Sequence, residues 1–210
     1  MKTESLFIPL LDNGTGIVKA QYCYDALVAL GGRAASIARF SQPYPTRIMN
    51  MATATFLSST CSTMLIVDMD IHFTRADVDK LLSHDVPLVY GLYPKKALPL
   101  QWCVATLTDE NPFGGDEPLV EVKRAGRGFM RVHRSVFEKM KPLVPEYHNH
   151  GRPEWQFWNE GCDNDGEWRS EDWWFCDNWR KLGGKVLVDQ TICLQHIGDY
   201  SYGAPIPNNS

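Results

Sequence analysis

Apolar residues along this chain follow two rhythms. Short, nearly unbroken runs alternate with longer stretches in which apolar residues recur every three or four positions. Residues 5–10 form the first run. Asp12-Asn13-Gly14-Thr15-Gly16 reads as a turn, residues 17–30 have helical spacing, and Gly31-Gly32 stops that helix. Residues 34–40 predict a second strand, ending at Arg39. The prolines at 43 and 45 predict a loop, and residues 47–57 a second helix. The strongest run is Thr63-Met64-Leu65-Ile66-Val67-Asp68-Met69-Asp70-Ile71-His72. It predicts a strand covered on both faces. Thr74 followed by Asp77 predicts a capping box for a helix to residue 82, and residues 87–93 predict the next strand. The order β-α-β-α-β-α-β predicts an α/β fold with a mainly parallel central sheet flanked by helices.

After Pro94 the rhythm changes. Residues 101–107 and 119–124 predict strands that pair antiparallel. Residues 125–130, with Gly126 and Gly128, predict a bend at which backbone approaches a ligand closely. Residues 132–140 predict a short helix. Residues 141–169 form a long polar and aromatic stretch, of the kind that is functional or mobile. Ser170 then caps a helix over residues 171–182. Residues 185–188 and 191–194 predict two short strands. The small, polar, proline-containing residues 203–210 predict a tail or linker to further domains after residue 210.

Composition narrows the class. The 210 residues suffice for one sizeable core, and 44% hydrophobic with 22% charged residues is ordinary for a soluble globular protein. A net charge of −4 supplies no basic face for nucleic acid. No apolar run is long enough for a transmembrane segment. The six cysteines lack a Cys-x-x-Cys pair, which predicts free thiols in the cytoplasm.

The candidate chemistry starts from Asp68-x-Asp70. Residues two apart on a strand point the same way, so both carboxylates are expected to leave the sheet together. Ligands of open α/β sheets bind beyond the carboxyl ends of the strands. Two acids there repel unless a cation sits between them, which points to a divalent metal holding a diphosphate. The plain alternative is a solvated surface turn. Glu171-Asp172 lies in the first turn of a helix, where the dipole is expected to keep a carboxylate ionised; ordinary capping is the alternative. His196 follows a short strand, and imidazole with carboxylates suits manganese. Six of the seven tryptophans fall between positions 155 and 179. They suit either a sugar-binding surface or a hydrophobic lining. Gly14-x-Gly16 lacks the third glycine of a dinucleotide fingerprint. Asp163-Asn164-Asp165-Gly166 lacks the closing glutamate of a calcium loop, and His148-x-His150 lacks a third zinc ligand.

These motifs occur in a known order: Phe7-Ile8-Pro9-Leu10, Arg47-Ile48-Met49-Asn50, Leu65-Ile66-Val67-Asp68-Met69-Asp70, Gly126-Arg127-Gly128-Phe129-Met130, Glu171-Asp172-Trp173-Trp174-Phe175-Cys176 and His196-Ile197-Gly198. Over nearly its whole length the chain resembles the GT-A nucleotide-sugar glycosyltransferases. More narrowly, it resembles the glycosyltransferase domains of chlorella viruses that act in capsid-protein glycosylation. The resemblance implies a single GT-A (Rossmann-like) domain over residues 1–202, with a nucleotide-binding half to about residue 95 and a small antiparallel acceptor-side subdomain. It implies a UDP-sugar donor, a glycan or glycoprotein acceptor, and Mn2+ or Mg2+. Asp70, Asp68 and His196 would serve the metal, with Asp68 holding the ribose or reaching the metal through water. Pro9, Leu10, Asp12, Arg39, Arg47 and Met69 would serve the nucleotide. Gly128, Glu171 and Trp173 would lie near the donor and acceptor sugars, and Asp172 would face the reacting carbon, with a lean to retention of configuration. Two other classes remain open from the residues: an NADP-type oxidoreductase, resting on Gly14-x-Gly16 and Arg39, and a non-catalytic sugar-binding module, resting on the tryptophans.

Overall fold

A computed structural model describes residues 5–12, 22, 30, 31, 33, 35–163, 165–198 and 201–203. The expected turn at Gly14-x-Gly16 and almost all of the expected helix over 17–30 lie outside the described residues.

The central sheet has seven strands among the described residues, in the order β2-β1-β3-β9-β5-β14-β7. They are β1 (Leu6–Asp12), β2 (Ala35–Ser41), β3 (Thr63–Val67), β5 (Leu88–Leu92), β7 (Leu119–Val122), β9 (Phe129–His133) and β14 (Val186–Cys193). Pairings β1–β2, β1–β3 and β5–β14 are parallel, while β9 and β7 run against their neighbours. Five strands therefore share one direction, as the β-α alternation predicts.

Every residue of β3 is buried, because both faces are covered. Met64 and Ile66 pack on one side with α1 (Pro45–Ser58), α3 (Arg134–Met140) and α4 (Glu171–Lys181). Leu65 and Val67 pack on the other with α2 (Arg75–Ser83). Truncating one such side chain, Ile66→Ala, removes about 2–5 kcal/mol of stability.

Local sequence explains the helix starts. Pro45 occupies the first turn of α1, where its missing N–H is harmless, so this proline opens the helix instead of lying in the preceding loop. Thr74 and Asp77 form the expected reciprocal capping box at α2. The carboxyl end of α1 is closed by Arg134, whose guanidinium donates to the carbonyls of Phe56, Leu57, Ser59 and Cys61.

Three expectations are corrected. Phe129–His133 is not a bend running into a helix but the strand β9, lying between β3 and β5. Arg131 interrupts its apolar run, yet Arg131 is buried and donates to the carbonyls of His84 and Val86. The two short strands expected after residue 185 are one strand, β14, with an irregularity between Asp189 and Cys193. Residues 119–124 divide: β7 joins the main sheet, and only β8 (Arg124–Ala125) pairs antiparallel with β6 (Val104–Ala105). The long polar stretch carries two small hairpins, β10 (Glu146–Asn149) with β11 (Arg152–Trp155), and β12 (Gly161–Cys162) with β13 (Trp168–Arg169). Among the described residues, no helix is long and apolar enough to cross a membrane.

Candidate active site

A cleft of about 330 Å³ opens beyond the carboxyl ends of β1 and β3. Its walls include Leu11, Asp12, Pro43, Ile48, Asp68, Met69, Asp70 and Arg127.

The two aspartates reach the cleft by a different route from the one their spacing suggests. β3 ends at Val67. The Asp68 amide donates to the Gly128 carbonyl (2.9 Å), and the Ile71 amide closes a turn on the Asp68 carbonyl (3.0 Å). The chain then enters β4 (Ile71–His72), which pairs with β15 (Gln195–Ile197). A turn, not strand alternation, therefore presents Asp68 and Asp70, and it gives them different neighbours.

Asp70 meets His196. The β4–β15 register sets His196 opposite Ile71, and the Ile197 amide donates to the Asp70 carbonyl (2.7 Å). Asp70 Oδ2 then lies 3.4 Å from His196 Nε2 and 2.6 Å from Lys96 Nζ. Burial raises the Asp70 carboxyl pKa, but His196 and Lys96 outweigh it and hold the group well below the usual carboxylate range. His196 Nδ1 sits 2.9 Å from the Pro94 carbonyl, which can only accept. Nδ1 therefore carries a proton, and Nε2 is the nitrogen that faces Asp70.

Asp68 meets Arg127. The pair is in direct contact, and the Arg127 side chain is only 11% exposed. Arg127 Nε also lies 3.6 Å from Glu171 Oε1 and 3.5 Å from Asp172 Oδ1. One guanidinium thus faces three carboxylates. Burial works against its charge, but Asp68, Asp172 and Glu171 outweigh burial and hold the proton on more firmly than usual.

Asp172 departs from its expectation. Burial pushes its carboxyl up to about 7; Arg127 opposes this, while Glu171 and Asp68 add to it. Its Oδ1 is out of reach of solvent and has no hydrogen-bond partner. The helix dipole does not keep Asp172 firmly ionised, because desolvation and two neighbouring acids act in the opposite direction.

Gly126 and Gly128 serve a packing need. A Cβ on Gly126 would stand 2.2 Å from the Tyr93 hydroxyl, and one on Gly128 would stand 2.7 Å from the Tyr93 ring. The Gly128 amide donates to that hydroxyl (3.0 Å). Here the close approach is to Tyr93, whose ring also meets the His196 ring edge-on at 5.4 Å.

The expected nucleotide residues separate. Asp12 and Arg39 come together: buried Asp12 accepts from Arg39 Nε (3.3 Å) and Nη2 (3.2 Å), and from Ser41 Oγ (2.8 Å). Met69 lines the cleft. Pro9 is buried and Leu10 half-buried in β1, while Leu11 and Asp12 form the wall. Arg47 donates to Asn149 Oδ1 (3.1 Å) and lines a separate hollow with Tyr147 and Trp158.

Two of the six clustered tryptophans lie in the interior. Trp158 is fully buried and stacks on Phe175 at 4.3 Å, and Trp179 is buried with Nε1 donating to the Lys185 carbonyl (3.0 Å). Trp173 lies under the Arg124 guanidinium at 4.9 Å, whereas Trp168 is 63% exposed. The Asp163 segment is a turn, with Asp163 Oδ1 accepting from the amides of Asp165 and Glu167. Arg39, on which the oxidoreductase reading leaned, is engaged with Asp12.

Sequence reasoning missed Arg127 and Lys96. Arg127 had a usable signal, a lone cation framed by two glycines. Lys96 had none, since only the folded chain carries it to Asp70.

The donor set can be tested against a divalent metal. Among the described residues no group of three or more His, Cys, Asp or Glu side chains is placed to hold a metal ion. Asp70 and His196 do converge, and a carboxylate beside an imidazole whose other nitrogen is tied to a carbonyl suits manganese or magnesium with water completing the shell. An ammonium already rests on Asp70 and a guanidinium on Asp68, so both acids attract cations. The residues fit the group.

No family model matches the sequence, and no curated protein matches it. Solved structures do. A197 from STIV aligns with a TM-score of 0.59 at 17% identity, over 99% of this chain and 100% of that one. GalNAc-T7, crystallised with UDP, GalNAc and Mn2+, aligns at 0.53 and 11% identity, over 93% of this chain and 44% of that one. The inositol-1-phosphate CTP transferase from T. maritima aligns at 0.50 and 7% identity, over 93% of this chain and 89% of that one. At such identities the likeness is one of fold, and the chain has the mixed, mainly parallel α/β architecture of the GT-A type.

Proposed function

We propose that this chain is a metal-dependent glycosyltransferase that moves a sugar from a UDP-linked donor to a glycan or glycoprotein acceptor. The observation that carries the reading is the Asp70–His196 pair, with His196 Nδ1 tied to the Pro94 carbonyl and Asp70 in the wall of a cleft beyond the strand ends. The fold likeness to GalNAc-T7, crystallised with UDP, GalNAc and Mn2+, supports a nucleotide-sugar donor.

Asp70 and His196 would hold Mn2+ or Mg2+, with Asp68 alongside through water or on the ribose. Bound there, the ion would act as a Lewis acid and neutralise charge on the departing diphosphate. Leu11, Pro43, Ile48 and Met69 offer apolar walls for a base. Arg127 keeps Asp68, Glu171 and Asp172 together by offsetting their mutual repulsion. A carboxyl with a pKa near 7 can take up or release a proton at neutral pH, so Asp172 suits proton handling beside a sugar carbon that becomes positive in the transition state. We assign an acceptor side over residues 96–202. We also read residues 1–202 as one domain. The five described cysteines are free thiols, which supports the cytoplasm. The narrower reading, a viral domain acting on a capsid protein, rests on sequence resemblance.

Thermal melting with UDP and UDP-sugars, with and without Mn2+, tests the reading, since a ligand of the folded state raises Tm. A rise that needs both Mn2+ and nucleotide, and that Asp70→Ala abolishes, is expected. A nucleotide effect indifferent to Mn2+, or intact in Asp70→Ala, overturns it.

A further inference from the structure

We infer that Lys96 has two successive partners. Its ammonium holds Asp70 while the cleft is empty, then passes to the donor's diphosphate when a divalent cation takes its place. The inference rests on the donor-site reading above and assigns a further binding residue to it.

Lys96 Nζ and His196 Nε2 both approach the same atom, Asp70 Oδ2. A cation held by Asp70 and His196 would compete with the ammonium for that oxygen. Two cations at one carboxylate oxygen repel each other, so a divalent ion there drives the ammonium away.

The surrounding chain lets it leave without disturbing the site. Lys96 stands two residues after Pro94, whose carbonyl orients His196. The segment is pinned at its base: Pro94 bridges to Trp102, the Lys95 amide donates to the Gln101 carbonyl (2.6 Å), and the Cys103 amide donates to the Tyr93 carbonyl (2.9 Å). The Lys96 side chain is 37% exposed and has one carboxylate partner on a flexible four-carbon stem. Arg127, by contrast, is 11% exposed and faces three acids. Of these two cations beside the aspartates, Lys96 is the one that can change partners. A diphosphate drawn in by the bound cation brings anionic oxygens to the spot that the ammonium vacates. Charge-assisted hydrogen bonds to phosphate are among the stronger polar contacts.

The test measures binding. Mn2+ affinity is read from the electron paramagnetic resonance signal of free Mn2+. UDP affinity at saturating Mn2+ is read by calorimetry. The proteins are wild type, Lys96→Met, Lys96→Arg and Asp70→Ala. Lys96→Met should bind Mn2+ alone about two- to five-fold tighter, because a part-exposed competitor is gone. It should bind UDP about ten-fold more weakly, because a charged hydrogen bond is gone. Lys96→Arg should stay near wild type in both, and ligand-free melting shows that the variants fold. Unchanged or weaker Mn2+ binding by Lys96→Met, or unchanged UDP binding, overturns the inference. If Mn2+ binding is lost in Asp70→Ala but unmoved in Lys96→Met, only the role of Lys96 fails. If wild type binds no Mn2+, the donor-site reading fails and takes the inference with it.

Discussion

Asp68 and Asp70 stand two residues apart in one turn and are held in opposite ways. Asp68 is met by Arg127, a nearly buried guanidinium that also faces Glu171 and Asp172. Asp70 is met by Lys96, a part-exposed ammonium, and by an imidazole with its far nitrogen anchored. A buried charge facing several opposite charges cannot be withdrawn without leaving the others unpaired. A part-exposed pair forms and breaks at little cost. The Arg127 side is therefore built into the protein, and the Lys96 side is built to be exchanged.

The most severe way to break this comparison is Arg127→Met. It leaves three acids uncompensated and should remove about 3–5 kcal/mol of stability. In a chain of this size that lowers Tm by roughly 6–20 °C in a melting curve. A Tm within a degree or two of wild type would mean that Arg127 does not anchor the site.

Acid–base behaviour sharpens the same contrast. The Asp172 carboxyl is raised from 3.8 to about 7. Above pH 4 the folded protein keeps a proton that the unfolded chain has released. That contribution to stability is complete at low pH and disappears as pH rises through about 7. Denaturant midpoints at pH 5 and pH 8 should therefore fall further in wild type than in Asp172→Asn. Equal falls would show that Asp172 titrates as an ordinary carboxylate.

The finest measurement is a pair of double-mutant cycles in the ligand-free protein. Coupling between Asp68 and Arg127 should reach about 1–3 kcal/mol, and coupling between Asp70 and Lys96 should stay below about 1 kcal/mol. Similar values would erase the distinction between the two aspartates.

Much of the scaffold was legible because local signals agreed with one another. The apolar run at Met64-Leu65-Ile66-Val67 predicted a covered strand, and Thr74 with Asp77 predicted the start of one helix. Strand β9 escaped notice because Arg131 breaks its pattern, and the carbonyls that satisfy that guanidinium lie some 45 residues earlier in the chain. The tryptophan cluster left two readings open. Six indoles close together in sequence suited a sugar-binding surface or a lining, and the fold divides them: Trp158 and Trp179 are in the core, whereas Trp168 is exposed.

The amino-acid order alone determined the alternation of strands and helices, the place of the apolar run and the identity of the two aspartates beyond it. These depend on periodicity, caps and turn residues, which act over a few positions. Only the tertiary structure decided which cation each aspartate would meet, that Asp172 would be raised instead of held ionised, and that two glycines make room for Tyr93. Charge interactions and desolvation depend on distance in space, and nothing in the local sequence records that residues 68, 127 and 172, or 70, 96 and 196, come together.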